Sequence, residues 1–130
     1  CCAESLTAGM VSSNIASVPG ASAVLLGGAV TYTNQIKEYL LSVSEKTIQE
    51  VTEVSFEVAQ QMASGARSLF SSDYAVSLTG YAGPGGYESG GHRLYWSLLL
   101  PGRIFQAFRL FRQSSRGSFS GLLRGSAHAG

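Results

Sequence analysis

Cysteine is nearly absent from the chain, with only Cys1 and Cys2, and these are neighbours. Adjacent cysteines seldom reach disulfide geometry, and two thiols cannot complete a tetrahedral zinc site, so reduced, non-catalytic thiols are expected. Histidine is equally scarce: His92 and His128 each lie away from any second ligand type in sequence, which leaves no metal-ligand pattern. A Ser-His-Asp triad could be drawn only through His92 and the single aspartate, Asp73. There is no run of about 18 apolar residues, and the first residues lack the basic-then-apolar plan of a signal peptide. A soluble cytoplasmic protein without a membrane partner is expected. The chain starts at Cys1 rather than at methionine, so its numbering is expected to begin inside a longer polypeptide, one in which this unit is fused to another domain.

Charge is also sparse, at 13% of residues and a net +1, which argues against a nucleic-acid partner. The total hides a division. Residues 1–88 hold three cations (Lys37, Lys46, Arg67) against all eight acids, a net −5, whereas residues 89–130 hold six arginines and no acid, a net +6. Such a tail could attract an anionic ligand or could simply be a solvated face.

The 130 residues are 45% hydrophobic, enough for one domain with a single core. Met10, Val11, Ile15 and Val18 recur at helical spacing until Pro19-Gly20, which predicts a helix over 7–17. The apolar, β-rich run VLLGGAVTY predicts a buried strand over 24–32, and Thr33 or Asn34 can cap the short helix that follows. From Ser55, a plausible N-cap, apolar side chains at Phe56, Ala59, Met62, Ala63, Ala66, Leu69 and Phe70 mark one helical face. DYAVSLTG (73–80) alternates as a strand does and runs into the loop GYAGPGGYESGG. RLYWSLLL and RIFQAFRLF flank Pro101-Gly102 and predict a hairpin. Helices alternating with strands, plus a late antiparallel hairpin, predict an α/β fold: a three-layer α/β/α sandwich with a mixed β-sheet. Such a domain would close with a helix, but Gly117, Gly121 and Gly125 each cost a helix about 1 kcal/mol, so residues 113–130 are expected to fray.

Ligands of open α/β sheets gather where loops leave the carboxyl ends of strands. Three such loops are visible, carrying Ser5 and Thr7; Tyr32, Asn34 and Lys37; and Thr79 to Gly86. In AESLTAG, Ser5 would stand at a strand-to-helix turn, with its hydroxyl along the dipole of the next helix and beside amides able to hold an anion. It reads equally as a helix cap. Lys37, with an ordinary pKa of about 10.4, could serve as a base only if burial made it neutral. Its other reading is a surface lysine with a packed stem. Tyr32 could relay a proton, or merely pack. Gly80, Gly83, Gly85 and Gly86 offer unhindered amides for a phosphate or an oxyanion, without Walker or dinucleotide-fingerprint spacing.

Taken in order, AESLTAG, VPGASAVLLGGAVTYTNQIKEYLLSV, VSFEVAQQMASGAR and YAVSLTGYAGPGG resemble successive motifs of the CinA C-terminal domain family, the nicotinamide-nucleotide amidohydrolases, over about residues 3 to 86. The resemblance implies a deamidase, without metal or cofactor, that converts nicotinamide mononucleotide to nicotinate mononucleotide and ammonia. It implies Ser5 as nucleophile, Tyr32 and Lys37 as proton-handling partners, and Thr79 beside the oxyanion. Substrate contacts are expected from Thr7, Gly9, Ser22, Asn34, Gly80, Ala82 and Gly83, with Arg116 as partner for the 5′-phosphate. Family members commonly assemble as oligomers, so a homo-oligomer is expected. The likeness weakens after Gly86, where His92 and Arg93 stand in place of small residues. A non-catalytic nucleotide-binding or accessory module is the rival expectation.

Overall fold

Among the described residues, a hydroxyl side chain starts three of the four α-helices. The computed structural model describes residues 1–81, 92–113 and 119–129, with side chains described over 1–81 and 94–107. Thr33 accepts from the Ile36 amide at the head of α2 (Asn34–Leu41), Ser44 from Thr47 at α3 (Glu45–Val51), and Ser55 from Val58 at α4 (Phe56–Phe70). The expected caps at Thr33 and Ser55 are in place. Helix α3 was not anticipated from the sequence, because only Ile48 and Val51 mark its apolar side. Gln61 ties it to α4, accepting from the Ser44 amide at 2.7 Å and donating to Thr47 Oγ1 at 2.9 Å.

The strands form one six-stranded mixed sheet in the order β2-β1-β3-β4-β5-β6. Strand β1 (Cys2–Glu4) lies between β2 (Gly28–Val30) and β3 (Ala75–Gly80) and runs parallel to both. From β3 onward, β4 (His92–Leu100), β5 (Arg103–Gln113) and β6 (Phe119–Ala129) pair antiparallel. The hairpin turns at Pro101-Gly102, as expected, with Leu100 opposite Arg103. Strand β2 is shorter than the predicted 24–32, because it pairs only with the three residues of β1, Gly28 to Val30 against Cys2 to Glu4. The expectation of a frayed terminus over 113–130 is corrected for 119–129, where β6 pairs along all of β5, while 114–118 and 130 lie outside the described residues. Glycines that weaken a helix are tolerated in a strand whose backbone bonds are supplied by its neighbour. The expected helical closure is absent from these residues for the same reason.

Helix α1 (Met10–Ala16) covers one face of the sheet, and α2, α3 and α4 cover the other, which makes the three layers of an α/β/α sandwich. The two-residue period of the strands sorts side chains between these faces. Ala3 and Ala29 join Leu41, Val43, Val58, Met62 and Ala66 in the core beneath α4, and Cys1, Ile48 and Phe70 pack against it. On β3 the small residues Ala75, Ser77 and Thr79 are buried, while Val76 and Leu78 are half-exposed. Small side chains let α4 settle close to the strands. Ser77 Oγ donates to the Ala59 carbonyl of the helix itself, a bond that requires this proximity.

Helices α2 and α4 approach closely at Gly65. A Cβ there would fall inside the Leu41 carbonyl oxygen, so no side chain fits without moving backbone. Gly65→Ala is therefore expected to destabilise the domain by about 3 kcal/mol, more than the gain of about 1 kcal/mol in helix propensity. The shift of the urea unfolding midpoint at constant m-value checks this; a variant at least as stable as the parent would contradict the close crossing.

Candidate active site

The chain places its chemistry where three parallel strands end together. One residue beyond the paired positions Glu4, Val30 and Leu78 come Ser5, Thr31 and Thr79, on the α4 side of the sheet. All three are buried. The Ser5 amide donates to the Leu78 carbonyl, and the Thr31 amide donates to the Glu4 carbonyl. Three hydroxyls thus line the carboxyl edge in a row fixed by main-chain bonds. Thr31 was not singled out from the sequence, because only the register puts it beside Ser5.

Lys37, the fourth residue of α2, reaches this row from above β2. It is 1% exposed, and its Nζ lies 3.2 Å from Ser5 Oγ and 3.4 Å from the Tyr32 carbonyl. The reading of Lys37 as a surface lysine is thereby excluded. Burial, the largest influence, lowers its pKa from the ordinary value, and the negative charge of Glu53 opposes that shift. Serine and lysine here form a desolvated pair, with the amine biased toward the neutral form that can take a proton.

Ser5 caps no helix. The N-cap of α1 is Gly9, which has φ 101° and makes no side-chain capping bond. The expectation that the helix amides beside Ser5 could hold a ligand anion is corrected, because Glu4 already occupies them. Glu4 Oε2 accepts from the amides of Gly9 and Val11 at 3.1 and 3.0 Å, and Oε1 accepts from Ser12 N at 2.8 Å and Ser12 Oγ at 2.6 Å. The carboxylate is fully buried. Burial by itself would raise its pKa, but the bonds from Ser12 and Val11, with the favourable influence of the Thr7 hydroxyl, outweigh burial and bring it down to about 2. Thr7 Oγ1 makes no hydrogen bond of ordinary geometry, although its dipole still favours the carboxylate.

The other predicted positions are distributed unevenly. The Tyr32 side chain is 66% exposed, and it is the residue's carbonyl, not its phenol, that meets Lys37. Thr79 Oγ1 is engaged, donating to the Glu53 carbonyl at 2.8 Å. The Gly9 amide is committed to Glu4. Asn34 opens α2 and is half-buried, close in sequence to Lys37. Gly80 ends β3 opposite Leu94. Ser22 is exposed on the 3₁₀ turn that leads toward the amino end of β2, and no hydrogen bond joins it to the Ser5–Lys37 pair. Ala82, Gly83 and Arg116 lie outside the described residues. Glu53 was missed in the sequence, where nothing relates the α3–α4 connection to the end of β3. Tyr81 OH donates to Glu53 Oε1 at 2.9 Å across that gap.

A buried serine–lysine pair at the carboxyl edge of a mixed α/β sheet defines the class: an α/β domain with a desolvated hydroxyl–amine pair where its parallel strands end. The chain belongs to the CinA C-terminal domain family, whose pattern matches residues 1–97. It is 51% identical over 84 residues to a CinA-like protein of Solibacter usitatus, a match covering 65% of this chain and 20% of that protein. A competence-damaged protein (CinA) superfamily structure from Escherichia coli superposes with a TM-score of 0.66 at 29% identity, covering 98% of this chain and 67% of that one. The competence/damage-inducible protein CihA of Agrobacterium tumefaciens gives 0.66 at 32% identity, over 94% and 67%. The chain spans between 19% and 28% of the length of the curated relatives it matches. Among the described residues, no helix is long and apolar enough to cross a membrane.

Glu4 supplies a pH test of this arrangement. Its folded pKa, about 2, lies below the ordinary 4.5, so it contributes stability that is complete above pH 4.5 and is lost as pH falls from there toward 2. Glu4→Gln is expected to cost about 1.5–3 kcal/mol at pH 7 and to flatten the acid limb of the stability profile. Urea titrations at a series of pH values check both; an unchanged acid limb would mean that the carboxylate is not held ionised.

Proposed function

We propose that the chain is a metal-independent amidohydrolase that converts nicotinamide mononucleotide to nicotinate mononucleotide and ammonia. The observation that carries this reading is the 3.2 Å contact between the buried Lys37 amine and the Ser5 hydroxyl. Membership of the CinA C-terminal domain family supports it, and the preceding resemblance supplies the substrate. Neutral Lys37 takes the Ser5 proton as Oγ bonds to the carboxamide carbon. The tetrahedral adduct collapses when Lys37 returns that proton to the departing nitrogen, which releases ammonia and leaves an ester on Ser5. Water, deprotonated by Lys37, then cleaves the ester to free the carboxylate product and the serine. The Tyr32 carbonyl, 3.4 Å from Nζ, orients the amine. The phosphate contact is assigned to Arg116 and the oxyanion contact to amides among residues 80–83.

A cytoplasmic small-molecule enzyme, acting as a homo-oligomer, is the setting this reading implies. The rival reading, an accessory nucleotide-binding module, draws on the chain's 20% share of its Solibacter usitatus relative. Ammonia release from nicotinamide mononucleotide, measured beside binding calorimetry, separates the two: turnover selects the enzyme, and binding without turnover selects the module.

Two variants and one profile test the mechanism. Ser5→Ala is expected to lower ammonia release by about a thousandfold or more, while the unfolding temperature moves by no more than about 5 °C. Lys37→Met should abolish turnover with stability unchanged or raised, because an apolar stem replaces a desolvated amine. Since the neutral amine is the active form, the rate should climb with pH and level off below the ordinary lysine value of about 10.4. Undiminished turnover by Ser5→Ala would remove the serine from the mechanism.

A further inference from the structure

Adjacent residues at the end of β1 face opposite sides of the sheet, Ser5 toward Lys37 and Glu4 toward α1. On its amino side Ser5 is held by the sheet: its amide donates to the Leu78 carbonyl at 3.0 Å, and the Glu4 carbonyl accepts from the Thr31 amide at 2.7 Å. On its carboxyl side the strand has ended, and the chain turns through Ala8 and Gly9 at left-handed φ, 49° and 101°. Alanine relaxes from such an angle unless its surroundings hold it there. The Glu4 side chain spans this turn, with its two oxygens accepting from the amides of Gly9, Val11 and Ser12 and from the Ser12 hydroxyl. Strand β2 leaves room for the last of these bonds: a Cβ at Gly28 would lie 2.3 Å from Ser12 Oγ, so the missing side chain lets Ser12 reach the carboxylate.

We propose that Glu4 is a positioning residue for the nucleophile: by closing the turn over residues 5–9 from the α1 face of the sheet, it holds the Ser5 hydroxyl against the Lys37 amine on the other face. It acts through the main chain. The Ser5 carbonyl accepts from the Ala8 amide at 3.1 Å, so relaxation at Ala8 turns the peptide group that follows Ser5 and carries the hydroxyl with it. The contact at stake, 3.2 Å from Ser5 Oγ to Lys37 Nζ, is already at the long end of the hydrogen-bond range, and a small displacement breaks it. Glutamine does not replace the glutamate, because it offers one acceptor oxygen where two are used and turns its own N–H groups toward amide donors.

Two readouts test this; ammonia release rests on the deamidase reading, and labelling by a fluorophosphonate does not. In the labelling step Ser5 Oγ bonds to phosphorus, fluoride departs with the electrons of the P–F bond, and Lys37 takes the hydroxyl proton. The labelling rate at Ser5, located by peptide mass, is compared in the parent protein, Glu4→Gln and Gly28→Ala under conditions where urea titration shows each variant folded. Lost stability alone then leaves the rate unchanged. Glu4→Gln is expected to slow labelling between about ten- and a hundredfold and to lower kcat for ammonia release to match, with KM moving by no more than about twofold. Gly28→Ala keeps every group of the clamp but displaces Ser12, and should slow both in the same direction by less. Labelling of Glu4→Gln at the parent rate overturns the proposal. If Glu4→Gln does not fold, undiminished labelling of Gly28→Ala does so, and a parent protein left unlabelled at Ser5 has no nucleophile to position and overturns it as well. A parent labelled at Ser5 that releases no ammonia refutes the deamidase reading, while slower labelling of Glu4→Gln still upholds the role of Glu4.

Discussion

A carboxylate with no access to water must be surrounded by donors or give up its charge, and Glu4 meets the first condition with three amides and a hydroxyl. Those donors belong to the turn after β1 and the first residues of α1. To present them, the chain adopts left-handed φ at Ala8 and Gly9, 49° and 101°. The turn is consequently held from inside, and the residue after Glu4 has no freedom left. That residue is Ser5. The charge of Glu4 also fills the amide end of α1.

The opposite face contributes the dryness. Buried alanines at 59, 63 and 66 let α4 settle on the sheet, and the glycine at 65 brings α4 within backbone distance of α2. Ser5, Thr31 and Thr79 are buried there, and the lysine that enters from α2 is only 1% exposed. A lowered amine pKa is the direct result. The small residues of α4, with Ala75, Ser77 and Thr79 on β3, are thus what buries the serine–lysine pair.

The sequence carried much of this. Local rules sufficed for the capped helices at Thr33 and Ser55, for the hairpin at Pro101-Gly102 and for the α/β alternation, because each depends on neighbours a few residues apart. Ser5 and Lys37 were paired only through the family resemblance, since from the residues alone each had an equally good local reading as a cap or a surface side chain. Helix α3 escaped notice because its apolar side is too thin to show a period. The strand at 119–129 escaped because β pairing is a property of two segments, and the glycines spoke only against a helix.

What the sequence determined alone is a layered α/β domain of the CinA C-terminal kind, with hydroxyls and one lysine in loops at strand ends. What only the tertiary structure decided is their chemistry. Parallel register across three strands set Ser5 beside Thr31 and Thr79, burial under α2 and α4 made Lys37 a candidate base, and a bent connection delivered Glu53 to Tyr81. Each is a relation between segments about 30 to 70 residues apart, and the energy that fixes it, desolvation of a charge against packing of small side chains, exists only once those segments meet.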